Sequence, residues 1–306
     1  MMGRRSSISK KKPDDRKMIA AIALGVLLFS LMIVPAFIGG QNTSGVKISK
    51  IQHMAHPPID IKALTNAINP PNGYTLPVQY GQMGPRLLEA GVIDVAALKQ
   101  HYQQTGQVLS DKDIELLIRG SQEPVVINHQ NASFLLTLFW GLGLANQNPI
   151  LDKAPNQKVS DWNVGRKSGS DLFSSTLILK LSPDQQARVE EVAKAVYRPC
   201  SDASSLSPDS KQSMAMLGLL ELMASQNAGS DAMFSAAKQV NAFWFPQQTL
   251  EQAIFFVATQ LKDYVNVDAR WLNSQQYFSA TGFRQLHQWL KDNNMLGDES
   301  DSETSC

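Results

Sequence analysis

Hydrophobic residues between positions 69 and 293 recur at spacings of three and four, which predicts a succession of amphipathic helices. Helix starts are indicated where a serine or aspartate precedes such a stripe, because these side chains cap the first free N–H groups. Signals of this kind occur at Asp94, Ser110 and Ser182, and Ser-Pro-Asp at 207–209 predicts the start of a Met- and Leu-rich helix. Ser182 is followed three residues later by a glutamine, which completes a capping box.

Evidence for β-structure along the chain is weak. Residues 74–80 alternate between large and small or polar side chains, which allows one short strand, but no nearby segment clearly pairs with it. Val125, Val126 and Ile127 form only a short apolar piece. We therefore predict an all-α fold, with a compact multi-helix extracytoplasmic domain at residues 69–293 that follows a single N-terminal transmembrane helix.

The predicted transmembrane helix occupies residues 18–39. Residues 18–38 contain no charged side chain, and as a helix these 21 residues would extend about 31 Å, close to the thickness of the bilayer core. The preceding residues 1–17 are rich in lysine and arginine, which predicts a cytoplasmic N-terminus and an extracytoplasmic C-terminal domain. A cleaved signal peptide is the alternative, but its apolar region would be shorter and would end at a small-residue cleavage site.

The segments that flank the predicted domain have polar and flexible compositions. Residues 40–68 predict a flexible linker, and residues 294–306 predict a disordered acidic tail. His53 and His56 lie three residues apart in the linker. We interpret them as exposed linker histidines rather than a metal pair, because the prolines that follow them would end a helix.

Composition excludes several classes of protein. The chain has 28 basic and 27 acidic residues, so it lacks the basic excess of a nucleic-acid-binding protein. Its two cysteines, Cys200 and Cys306, cannot form a disulfide framework. We also do not expect them to bridge, because the polar C-terminal tail would have to fold back. The sequence lacks nucleotide-binding glycine motifs and the spaced His and Cys ligands of a structural zinc site, so we predict no cofactor.

Three features remain as candidates for chemistry or binding. Cys200 could act as a thiolate with a distant histidine, namely His101, His129 or His287, or as a weak metal ligand. An inert cysteine fits its loop better. Glu221 lies in an apolar helix, where it must reach the surface, find a buried partner such as Arg198, or serve as a functional acid. A possible binding surface is formed by aromatic residues, either in a glycine-rich loop or at a helix end: Trp162, Phe243, Trp244 and Phe245.

Three stretches of the chain resemble an uncharacterised family of exported or membrane-anchored prokaryotic proteins. These stretches are YTLPVQYGQMGPRLLEAGVID, FLLTLFWGLGLANQNPIL and VEEVAKAVYRPC…PDSKQSMAMLGLLELMASQ…NAFWFP. The similarity covers about residues 70–265. In that family the loop before the Met-Ala-Met-Leu-Gly helix carries Cys-Cys and then Asp-Cys-Asn-His-Gly. The resemblance implies a metal or redox centre in this loop.

This chain departs from the family pattern at most of the positions that would hold a metal. Cys200 is retained, but Ser201 and Ser210 stand at the second and third cysteine positions. Gln212 stands at the histidine and Ser213 at the glycine. The resemblance therefore implies a site-deficient relative that keeps the scaffold.

The sequence favours a membrane-tethered, non-catalytic binding or interaction module with a protein partner in the cell envelope. A metal-handling or thiol-redox protein centred on Cys200 is the alternative. A hydrolase of envelope polymers is a weaker one, because no pair of carboxylates has a suitable spacing.

Overall fold

The computed structural model describes residues 47–296, except residues 57, 154–160 and 261. The predicted basic segment 1–17 and transmembrane helix 18–39 lie outside these residues, as does most of the predicted acidic tail. None of the helices that the structure describes combines the length and the apolar composition needed to cross a bilayer. All described residues belong to one unit of the chain, residues 45–306.

The described residues form fourteen α-helices, two β-strands and two 3₁₀ turns. The strands are β1 (Tyr74–Gly81) and β2 (Ser121–Ile127), and the 3₁₀ turns are Ile48–Lys50 and Tyr264–Asn266. The helices are α1 (Ile61–Ile68), α2 (Met83–Glu89), α3 (Val95–Thr105), α4 (Asp111–Arg119), α5 (Ala132–Ala145), α6 (Pro149–Asp152), α7 (Gly169–Leu172), α8 (Pro183–Ala195), α9 (Lys211–Ser225), α10 (Ser230–Trp244), α11 (Pro246–Gln260), α12 (Ala269–Leu272), α13 (Gln275–Phe278) and α14 (Ala280–Asp292).

The two strands show that the all-α prediction is wrong. β1 and β2 pair as an antiparallel two-stranded sheet, with Tyr74 opposite Ile127 and Gly81 opposite Ser121. The pairing was not predictable from the sequence. β2 begins with polar residues and contains Pro124, so its first half lacks the alternation of apolar and polar side chains that is typical of a strand. Three helices, α2 to α4, separate the strands in the chain, so the turn signal of a short hairpin is missing.

Several helix starts form as their sequence predicts, because the hydrogen bonds that cap them are local. Asp94 caps α3, and Gly106 ends that helix in the left-handed conformation. Ser110 and Ser182 each form a capping box with the residue three positions later. The Ser-Pro-Asp signal at 207–209 misplaces the start of α9, because Ser210 caps that helix instead.

Helices α5 and α9 form the centre of the larger hydrophobic core. Both are apolar on nearly every face, which is typical of helices that are buried all round. They approach closely through glycines, since a Cβ at Gly143 would lie 2.0 Å from the Met214 carbonyl oxygen. A Cβ at Gly218 would likewise lie 2.2 Å from the Phe139 carbonyl oxygen. The two glycines therefore bring the helix backbones into direct contact.

A second, smaller core joins the start and the end of the described chain. It contains Ile48 and Leu64 from the segment predicted to be a flexible linker, together with side chains of α11 and α14 such as Phe255 and Leu286. Residues 48–68 thus differ from the linker prediction, because they include a 3₁₀ turn and α1. The polar composition of this segment favoured a linker prediction, although a few apolar residues such as Ile48 and Leu64 anchor it in the second core.

Candidate functional site

The loop between α8 and α9, residues 197–210, is organised around a buried arginine. Arg198 is 3% exposed and forms an ion pair with Asp209, and its Nη1 donates a hydrogen bond to the Ala203 carbonyl oxygen at 3.2 Å. Burial lowers the pKa of Arg198 to about 10. Because an unpaired buried guanidinium is costly, this pair holds the loop in one conformation.

The serines of this loop make internal hydrogen bonds. Ser201 Oγ donates to Asp209 Oδ2 at 2.8 Å and accepts from the Ala203 N–H at 3.1 Å. Ser210 and Ser213 cap α9 by exchanging hydrogen bonds between their side chains and backbone N–H groups. Gln212 is half-buried on the first turn of the same helix. These polar groups therefore order the loop itself.

Cys200 is half-buried in this loop and is disulfide-bonded. The second cysteine, Cys306, lies outside the described residues. A sulfur atom in a disulfide carries no thiolate, so nucleophilic or metal-ligating chemistry at Cys200 would first require reduction.

The loop also connects the two hydrophobic cores. Asp202 accepts hydrogen bonds from the N–H and the hydroxyl of Thr281 at 2.8 and 2.7 Å, and these bonds lower the pKa of its carboxyl. The Ser201 carbonyl oxygen accepts from the Ala280 N–H at 3.1 Å. Since Ala280 and Thr281 begin α14, the loop fixes the position of the last helix.

Glu221 lies in the middle of α9 and is fully buried. Its Oε1 accepts a hydrogen bond from Asn148 Nδ2 at 2.5 Å. Gln186 Nε2 donates to Asn148 Oδ1 at 2.9 Å and to Glu190 Oε1 at 3.1 Å. A chain of polar side chains thus leads from the core to the half-buried Glu190 on α8. The predicted surface position does not occur, and the buried partner of Glu221 is the Asn148 side chain at the start of α6 rather than Arg198.

Burial raises the pKa of Glu221 to about 8, against the opposing effect of two asparagine side chains, Asn146 and Asn148. The Asn146 side chain also lowers this pKa. Asn146 Nδ2 and Glu221 Oε2 are both buried, and neither atom forms a hydrogen bond. The protonated, neutral carboxyl is therefore the favoured form near pH 7. A neutral carboxyl can accept from Asn148 without the cost of a buried charge.

Trp162 does not lie on an exposed surface. It is 4% exposed, its Nε1 donates to the Val92 carbonyl oxygen at 2.9 Å, and its ring packs edge-to-face on Trp140 at 4.8 Å between centroids. The glycine-rich loop that carries it folds back onto the core.

The three aromatic residues at the end of α10 are also largely enclosed. Phe243 and Phe245 are buried, and Phe245 packs edge-to-face on Phe278. Trp244 is half-buried, and its Nε1 donates to the Ala132 carbonyl oxygen at 3.3 Å. The four aromatic residues of the predicted binding surface therefore do not come together as one exposed patch.

The histidines considered as partners of Cys200 contact other groups. His287 Nδ1 lies 2.7 Å from Glu251 Oε2, and Gln247 Nε2 donates to the other oxygen of that carboxyl at 3.0 Å. The rings of His101 and His129 pack against aromatic side chains. Within the described ranges, no group of three or more His, Cys, Asp or Glu side chains is arranged to hold a metal ion.

A polar groove of about 800 Å³ lies between the segment 47–53 and helix α14. Its volume falls within the ordinary range of ligand sites. Most of its lining residues are polar, and the α14 residues share one face of the helix because they recur every three or four positions. The lining residues are Lys47, Ser49, Ile51, Gln52, His53, Gln285, Gln288, Trp289, Asp292 and Asn293.

Comparison with protein-family models, with curated proteins and with solved structures finds no match to this chain.

The groove was not predictable from the sequence, because one of its walls comes from residues 47–53, which were predicted to belong to a flexible linker. The only signal was the exposed polar face of the last helix, which by itself is typical of any surface helix. The groove exists because Ile48 is buried in the second core and the Ile51 carbonyl oxygen accepts from Trp289 Nε1 at 2.9 Å.

Proposed function

We propose that this chain is a non-catalytic binding module, and that an extended segment of a partner protein occupies the groove between residues 47–53 and α14. The groove is the observation that carries this proposal. It is open to polar ligands, and it offers both hydrogen-bond donors and acceptors along its length.

The amide side chains of the groove favour a peptide as the ligand. Gln52, Gln285 and Gln288 are exposed and line it. A glutamine amide carries an acceptor and two donors, so it can bind the C=O and the N–H of one extended residue. The chain itself contains an example. Gln226 accepts from the Gln79 N–H at 2.9 Å and donates to the Gln79 carbonyl oxygen at 2.8 Å on the open edge of β1.

The test uses peptides selected from a random displayed library against the full chain. We expect a selected peptide to bind the variant Gln285→Ala/Gln288→Ala more weakly, because each lost hydrogen bond contributes about 1 kcal/mol, roughly fivefold in Kd. The matched control is Gln104→Ala, which alters an exposed glutamine on α3 outside the groove. Fluorescence anisotropy measures the Kd values. Equal binding by the wild type and the groove variant would contradict the proposal.

We also propose that the loop at 197–210 is the retained scaffold of a lost metal or redox site. Ser201 and Ser210 support this, because they order the loop with hydrogen bonds at positions where the resemblance implies ligands. Metal analysis should be performed on the variant His53→Ala/His56→Ala, which removes two imidazoles elsewhere on the surface. Stoichiometric zinc, copper or iron in that variant would show that the loop still holds a metal.

The proposed location is the cell membrane, with the binding module on the extracytoplasmic side. This part of the proposal rests on the sequence of residues 1–39 alone. Alkaline extraction of membranes, followed by protease protection of sealed vesicles, tests it. Release of the chain into the alkaline supernatant would contradict it.

A further inference from the structure

Two histidines outside the loop bring their ring nitrogens together. The Nε2 atoms of His53 and His56 lie 3.1 Å apart, with the ring centroids at 5.1 Å and the rings perpendicular. Imidazole nitrogens bind zinc at about 2.0–2.1 Å, so two of them on one ion are separated by roughly 2.9–3.4 Å for angles between octahedral and tetrahedral. The observed separation lies within this interval.

The backbone around His53 is held in place by the second core. The Met54 N–H donates to the Ala258 carbonyl oxygen at 2.8 Å, and the Ile51 carbonyl oxygen accepts from Trp289 Nε1 at 2.9 Å. The His53 ring lies 6.2 Å from the Trp289 ring. Because the residues before and after His53 are anchored, binding an ion here requires little additional ordering of the chain.

From these observations we propose that His53 and His56 bind a divalent transition-metal ion through both Nε2 atoms. Imidazole ligands suit copper, nickel and zinc. Of these three ions, copper should bind most tightly. The two imidazoles share a hydrogen bond without the metal, in which one Nε2 carries the proton and the other accepts it. When the ion binds both Nε2 atoms, that proton moves to Nδ1 of its own ring, so both ligands are neutral imidazoles. Among the described residues, no cluster of three or more His, Cys, Asp and Glu side chains is arranged to hold the ion, so the two imidazoles are its proposed protein ligands.

The site is independent of the peptide-binding proposal, although His53 also lines the groove. A bound ion would lie near the surface, since His53 is exposed and His56 is half-buried. It would carry no structural role in the core.

Isothermal titration calorimetry of the full chain with copper, nickel and zinc salts tests the site. We expect one ion per chain, with copper bound most tightly. His53→Ala and His56→Ala should each weaken binding at least tenfold, because two linked ligands exceed one by about 10²-fold or more. His101→Ala is the matched control, because this histidine lies on α3 and its ring contacts Tyr102. It should leave the affinity unchanged.

Electron paramagnetic resonance of the copper-loaded chain provides a second readout that does not depend on affinity. Wild type should show two coordinating imidazole nitrogens, and either single variant should show one fewer. Circular dichroism checks that the variants fold. Equal affinities and equal spectra for wild type and His53→Ala would overturn the proposal, as would a loss of binding in His101→Ala of the same size.

Discussion

The raised pKa of the buried Glu221 carboxyl predicts how the free energy of unfolding depends on pH. Its pKa is raised to about 8 in the folded chain, whereas its ordinary value is 4.5. Between these values the folded chain holds a proton that the unfolded chain has lost. The free energy of unfolding should therefore fall as the pH rises from about 4.5 to about 8, and this group should cause no further change above that interval.

The size of the effect follows from the width of the interval. Each pH unit changes the free energy of unfolding by about 1.4 kcal/mol for one proton, so an interval of about 3.5 corresponds to roughly 5 kcal/mol. Glu221→Gln cannot ionise and keeps an acceptor for Asn148 Nδ2. The variant should lack this slope, whatever its own stability at low pH.

Urea unfolding of the full chain at several pH values between 5 and 8, followed by circular dichroism, measures the slopes. The difference in free energy of unfolding between wild type and Glu221→Gln should change by about 4 kcal/mol over this range. The control Glu89→Gln alters an exposed glutamate on α2 and should keep the wild-type slope. A wild-type and Glu221→Gln difference that stays constant with pH would refute the reasoning, because it would show that Glu221 does not retain its proton.

Two further predictions concern the packing of α9 and its preceding loop. Gly143→Ala should destabilise the chain by about 1–3 kcal/mol or more, because its Cβ would overlap a backbone carbonyl of α9, whereas Gly229→Ala should change urea unfolding little, because nothing lies within 4 Å of its added Cβ. Asp209→Asn should cost about 3 kcal/mol in the same assay, because it leaves Arg198 buried without its charged partner. The exposed Asp184→Asn is its control, and equal stability of the two aspartate variants would contradict the structural role of the ion pair.

Helix starts and stops were predictable because the interactions that determine them lie within one turn of the chain. Ser110 and Ser182 accept hydrogen bonds from residues three positions later, and Gly106 adopts a conformation that favours glycine. These features need no information from distant residues. Asp209 is the exception. The sequence predicted it at a helix start, but in the structure its carboxylate pairs with Arg198.

Positions that depend on distant partners could not be predicted in the same way. β1 has a strand-like alternation, but its partner β2 follows three intervening helices and contains a proline. Trp162 and Phe245 are aromatic residues, which occur both in binding surfaces and in hydrophobic cores. Only their neighbours in the folded chain show that both are buried. The groove likewise requires the first and last described segments to meet.

Glu221 illustrates which properties the sequence determines and which the tertiary structure determines. The sequence by itself determined that a carboxyl would lie on an apolar helix and would need an uncommon environment. Only the tertiary structure decided that this environment is the core, where amide groups from another part of the chain replace water. Helix formation depends on neighbours in sequence, whereas burial and pKa depend on which distant side chains the fold brings within a few ångströms.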